Sequence, residues 1–143
     1  FSTAAEAKSF IYALVYALYA GWKEAAFQHW DLKEANMMQV NWPWPKEQAC
    51  FLFGSDKKAG CIDKANAAIL PQLFDFDLST VGKEGEGRIS QGGNDKTDLR
   101  SVKEIYDHIR PEGEYAPAET AFVQMLDRGI AATPASNLKT INE

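Results

Sequence analysis

The 143 residues hold only two cysteines and two histidines. Zinc is not expected, because it needs four closely placed ligands and only His29 and His108 could join Cys50 and Cys61. No Cys-x-x-Cys-His pattern is present, so covalent haem attachment is not indicated. The longest uncharged run, Ser9 to Trp22 between Lys8 and Lys23, falls short of the roughly 20 residues that a membrane-spanning helix needs. Basic residues are also in deficit, 15 against 20 acidic, for a net charge of -5. With no Lys/Arg cluster, the chain lacks the electrostatic footprint of a nucleic-acid binder. No segment shows sustained period-2 alternation and no internal repeat emerges, so strands are not expected and one domain is.

What is present suits a compact fold. Hydrophobic residues make up 45% and aromatics 12%, enough to build a core without extra staples. The first residue is Phe1 rather than Met, which gives the expectation of a processed, secretory chain. Thr3 and Glu6 have capping-box spacing. Beyond them Ile11, Leu14, Val15, Leu18 and Trp22 recur at helical intervals, with Tyr12, Tyr16 and Tyr19 as a second stripe. A helix apolar on two faces belongs in the middle of a core. The pattern continues more weakly through Ala26, Phe27 and Trp30 toward Met37, and Pro43 and Pro45 stop it.

Further helices are expected over 46–53 and 62–73. Another, capped by Asp95 or Thr97, carries Leu99, Val102, Ile105, Tyr106 and Ile109. A last one starts at Pro117, with the stripe Ala118, Ala121, Phe122, Met125, Leu126 and Ile130. The expected fold is therefore all-α: a helical bundle of four to five helices over 1–134, with a glycine-rich loop at 81–96 and a tail at 135–143.

Several motifs bear on chemistry. Cys50 and Cys61 stand eleven residues apart across Gly54-Ser55-Asp56-Lys57-Lys58-Ala59-Gly60, a turn-like stretch that a disulfide would close. Asp75, Asp77, Ser79 and Glu86 fall on positions 1, 3, 5 and 12 of a calcium loop. Thr80 stands where that loop requires glycine, however, and Gly82 where it places an apolar residue, so a solvated acidic loop is the better account. The glycines at 82, 85 and 87 lack the Gly-Lys-Ser/Thr ending of a phosphate loop, and Glu84 and Glu86 would repel phosphate. His29 and His108 are expected on helix surfaces, and no nucleophile–base arrangement emerges, so neither an enzyme nor a cofactor is expected. Trp42 and Trp44, alternating with Pro43 and Pro45, put two rigid aromatics on a stiff segment and are the candidate partner-binding residues; the alternative is that this connection folds back and plugs the core.

The stretch from Thr97-Asp98-Leu99-Arg100 through Tyr106 and Arg110-Pro111-Glu112-Gly113-Glu114-Tyr115-Ala116-Pro117-Ala118-Glu119 to Phe122-Val123 and Leu126 resembles the closing helix pair of the Rap/Tai family. That resemblance implies a small secreted helical protein that acts as an immunity protein, blocking peptidoglycan amidases delivered by type VI secretion. It spans residues 97–126 and transfers no inhibitory residue. The expected function is a secreted or periplasmic, non-enzymatic protein-binding module, with inhibition of a secreted enzyme as its specific form. The alternative is a structural subunit of a larger assembly, in which the apolar first helix and the four tryptophans are buried against neighbours.

Overall fold

The computed structural model describes residues 1–25, 27–53, 58–81 and 98–132. It contains three α-helices, α1 (Ala4–Ala25), α2 (Asp98–Ile109) and α3 (Pro117–Ala132), and four strands, β1 (Met37–Asn41), β2 (Gln48–Phe53), β3 (Lys58–Asp63) and β4 (Ile69–Leu73). The all-α expectation is thus wrong in the middle third of the chain. The helices expected over 46–53 and 62–73 are β2 and parts of β3 and β4, and the architecture mixes α and β. The expected glycine-rich loop and tail fall largely outside the described residues.

The strands are nested. β2 pairs antiparallel with β3 as an inner hairpin, and β1 pairs antiparallel with β4 as the outer continuation. Between the two ladders the six residues 42–47 on one side face the five residues 64–68 on the other, the latter including a short 3-10 turn, Lys64–Asn66. The connection is sewn by the Trp42 N–H to the Ala68 carbonyl (3.0 Å) and the Lys64 N–H to the Glu47 carbonyl (2.8 Å). One long ribbon results, with an offset of one residue at its waist.

Helix α1 begins as its sequence dictates. The Thr3 hydroxyl accepts from the Glu6 N–H (3.2 Å), and the Glu6 carboxylate accepts from the amides of Ser2 and Thr3, a complete capping box. The expectation that α1 is central holds. Phe10, Ile11 and Leu14 are buried with Leu32, Val102, Ile105, Tyr106 and Leu126 on the helical side. The neighbouring stripe, Tyr12, Ala13 and Tyr16, packs against Phe51, Ile62, Ala67 and Leu70 of the ribbon. Each fully buried large apolar side chain contributes about 1.5–3 kcal/mol, so α1 is held from both sides. Its weaker extension toward Met37 is not helical: the chain leaves the helix at Ala25 and turns at Trp30, whose φ is +67°.

Helix α2 presents the expected stripe, with Val102, Ile105 and Tyr106 buried and Leu99 and Ile109 packed at its edges. Helix α3 begins at Pro117 as expected, but its buried face is shifted. Glu119, Val123 and Leu126 lie inside, Ala118 and Ala121 are exposed, and Met125 is 52% exposed.

Candidate protein-binding site

The segment 42–47 crosses from β1 to β2, and its two indoles take different positions. Trp42 packs against the ribbon-side core, and its Nε1–H donates to the Lys46 carbonyl at 2.8 Å. Trp44 stands edge-on to Trp42, with ring centres 4.9 Å apart, and remains 38% exposed. Beyond it lie Phe51 at 6.1 Å and then Tyr16, whose ring stacks on Phe51 at 4.6 Å. Four aromatic rings therefore form a continuous row from the waist of the ribbon to α1.

Three of these rings, Tyr16, Trp44 and Phe51, line a shallow groove of ≈ 430 Å³ together with Pro45, Lys46 and Cys50. The wall is stiff for two reasons. Pro43 and Pro45 fix their own φ angles and hold Trp42 and Trp44 extended. Cys50 and Cys61, directly opposite each other in the inner hairpin, are joined as a disulfide, as their spacing suggested. Of the two expected binding residues, then, Trp44 offers an accessible indole and Trp42 serves mainly as its buttress. Sequence reasoning missed Tyr16 and Phe51 as members of the row. Tyr16 was visible only as one of a helical stripe, and Phe51 shares the site because the strand pairing brings it there.

The ionisable side chains buried elsewhere are engaged within the fold. Glu119 is 1% exposed, and its Oε1 accepts from the Tyr106 hydroxyl (2.6 Å) and Arg110 Nε (2.8 Å). Its Oε2 accepts from Arg110 Nη2 (2.9 Å) and the Ala116 N–H (2.7 Å). The Arg110 guanidinium is the largest influence holding this carboxyl down, to a pKa of about 2, against the opposing effect of burial. Burial and the Glu119 carboxylate push the Tyr106 phenol up. Arg110 also donates to the carbonyls of Gly113 (2.8 Å) and Glu114 (3.0 Å) and lies over the Tyr115 ring. The cluster ties the end of α2 to the start of α3.

Asp98 plays the corresponding part for the 27–32 segment. Its carboxylate accepts from the amides of His29 (2.7 Å) and Trp30 (2.9 Å), which pins the left-handed turn at Trp30. Burial raises the Asp98 pKa, and these two amides work against that rise. His29 is not on a helix surface. It is fully buried, with Nε2 donating to the Phe74 carbonyl (2.9 Å) and Nδ1 accepting from the Asp31 N–H (3.3 Å). His108 does sit exposed on α2, against Glu34.

The stretch that matched calcium-loop spacing is also occupied by structure. The Ser79 hydroxyl donates to the His29 carbonyl (3.1 Å), and the Thr80 hydroxyl accepts from Trp30 Nε1–H (2.8 Å). Glu86 lies outside the described residues. Among the described residues, no three His, Cys, Asp or Glu side chains group so as to hold a metal ion. Nor is any helix among them long and apolar enough to cross a membrane. In comparisons with known proteins, no family model, no curated protein and no solved structure matches this chain.

Proposed function

We propose that the chain is a non-enzymatic protein-binding module of an oxidising, secreted or periplasmic compartment, and that it engages its partner through Trp44. The observation that carries this reading is the 38% exposed Trp44 indole on a proline-stiffened segment, beside a groove floored by Phe51 and Tyr16. A preorganised aromatic anchor loses little entropy on binding, which is the physical profile of a binding hot spot. The Cys50–Cys61 disulfide supports the compartment, because such bonds persist where thiols are not kept reduced. The bonding of Glu119, Arg110, Asp98 and His29 to groups within the fold supports a binding rather than a catalytic role. The resemblance of residues 97–126 to the Rap/Tai helix pair supports an immunity protein as the specific form, with a secreted peptidoglycan amidase as partner.

A second reading, a subunit of a larger assembly, is favoured by apolar exposure away from the groove, including Phe76 (52%), Val81 (58%) and Met38 (54%). Affinity capture on the full chain, followed by mass spectrometry, separates the two. One retained hydrolase, lost from Trp44→Ala, supports the inhibitor. A set of several subunits retained by Trp44→Ala supports the assembly and removes Trp44 from the function.

A further inference from the structure

The disulfide borders two grooves. Cys50 lines the one beside Trp44, and Cys61 lines a separate cleft of ≈ 500 Å³ where the first half of α1, the first half of α3 and β3 meet. Its volume lies within the roughly 300–1,000 Å³ of small-molecule sites. One wall is the displaced face of α3. Ala118, Ala121, Phe122 and Met125 form the stripe that the sequence places in the core, yet Ala118 and Ala121 are exposed, Phe122 is half-buried and Met125 is 52% exposed. Ala121, Phe122 and Met125 line the cleft instead, together with Tyr12 and Ile62. Those last two are firmly set, because Ile62 is buried in the ribbon-side core and the Tyr12 ring is lodged against Gly60.

The charge in this cleft is unbalanced. Lys8 lines it and is half-buried. Its Nζ donates to the Ala118 carbonyl at 3.4 Å and lies 5.7 Å from the centre of the Phe122 ring. An ammonium has three donors, and this one has no other acceptor and no carboxylate in ion-pair contact among the described residues. The acids on the adjoining turns are engaged elsewhere: Glu6 accepts from the amides of Ser2 and Thr3, and Glu119 from Arg110 and Tyr106. In a chain of net charge -5, this cation is left to an outside partner.

We infer that the cleft binds a small apolar monocarboxylate, whose carboxylate pairs with Lys8 and whose hydrocarbon body lies along Phe122, Met125 and Ile62. One ammonium balances one negative charge. Helical spacing orients the ligand: Lys8 Nζ sits by Ala118 and Phe122, and Met125 follows about one turn further along α3. The polar contact is thus at one end and the apolar wall extends away from it. The lining also selects a hydrocarbon body over a peptide. Apart from Lys8, its side chains offer only the hydroxyls of Ser9 and Tyr12. A peptide's amides would lose water there for few partners, whereas a chain with a single polar end has nothing else to satisfy. The thioether of Met125 adapts its shape to such a body.

Calorimetric titration of the full oxidised chain with octanoate tests this, with octan-1-ol and octylammonium as tail-matched controls. Octanoate should saturate one site, at least about fivefold more tightly than octan-1-ol, and octylammonium should not bind. Lys8→Met keeps an unbranched apolar stem and removes the charge, so octanoate should fall to the affinity of octan-1-ol, which should itself be unchanged. Lys8→Arg should retain octanoate. If Lys8→Met loses its fold, Ala121→Trp decides: it starts from an exposed position and fills the cleft, so binding of octanoate and octan-1-ol should both disappear. No saturable octanoate binding by the wild type, equal affinity for octanoate and octan-1-ol, or octanoate binding that folded Lys8→Met or Ala121→Trp leaves intact overturns the inference.

Discussion

The Tyr12 hydroxyl of α1 lies where a β-carbon on Gly60 would be: an ideal Cβ built there comes within 1.1 Å of the oxygen and 2.2 Å of Cζ. β3 can approach α1 this closely only because residue 60 has no side chain. Gly60→Ala should destabilise the fold by about 1–3 kcal/mol through overpacking, read as a lower urea midpoint. Combining it with Tyr12→Ala should cost less than the sum of the two single changes, because the clash disappears with the ring. Strict additivity would show that the contact does not set the α1–β3 distance.

The pH dependence of stability should carry the signature of Glu119. Its pKa is lowered to about 2 in the folded protein against an ordinary value of 4.5, chiefly by Arg110. The stabilisation is therefore fully present above about pH 4.5 and is lost progressively as the pH falls toward 2. Asp98 acts in the opposite sense, since its raised pKa makes the protonated form the one favoured by folding. The difference between wild type and Glu119→Gln isolates the first effect. It should be about 2–4 kcal/mol at neutral pH and shrink below pH 4 in acid titrations followed by circular dichroism.

Removing the Asp98 carboxylate leaves the buried amides of His29 and Trp30 without acceptors. Asp98→Ala should cost about 2–4 kcal/mol and should speed hydrogen exchange at those two amides first. Unchanged protection at His29 and Trp30 would mean that this carboxylate does not hold the turn.

The two indoles of the waist should separate in a single experiment. Trp42→Ala removes a ring packed on Phe51, Ile62, Ala67 and Leu70 and should lower stability by about 3 kcal/mol. Trp44→Ala removes a ring more than one-third exposed and should cost under about 1 kcal/mol in stability, while taking about 2 kcal/mol or more from partner affinity. Equal losses of melting temperature would return both indoles to packing.

The disulfide should also be visible directly. Non-reducing peptide mapping should recover the Cys50 and Cys61 segments linked, and reduction should remove roughly 2.5–3 kcal/mol of stability. Two freely alkylated thiols in the native chain would remove the main support for an oxidising compartment.

The helices were legible because their signals are local. The Thr3/Glu6 box, the Leu99–Ile109 stripe and Pro117 at a first helical turn act within a few residues. The ribbon was not legible because its strands have no clean alternation to show. β4 carries Pro71 in its centre, tolerated because its nitrogen faces out of the ladder, and β1 reads Met-Met-Gln-Val-Asn with no polar–apolar period. The clue that existed was the cysteine pair: a bond across a turn-like stretch between residues eleven apart is compatible with a hairpin, and that constraint outranks helical spacing at Ala65, Ala68 and Ile69. The Trp–Pro segment stood out as a candidate site, but its division into a half-buried and an exposed indole depends on Ala68 and Lys46, whose carbonyls receive Trp42.

The position of α1 sets a timetable for the chain's assembly. It precedes every other element, yet its tyrosine face waits for Phe51 and Ile62, and its second face for Val102, Tyr106 and Leu126. During synthesis its second face stays incompletely covered until α2 and α3 have emerged, and the contacts those two helices make with it span a long stretch of sequence. Such non-local closure is slow. Until then the newborn chain leaves the Phe10, Ile11 and Leu14 face of α1 incompletely buried, a source of transient apolar exposure. The inner hairpin, whose contacts are the most local, can close and oxidise long before that helix finds its place.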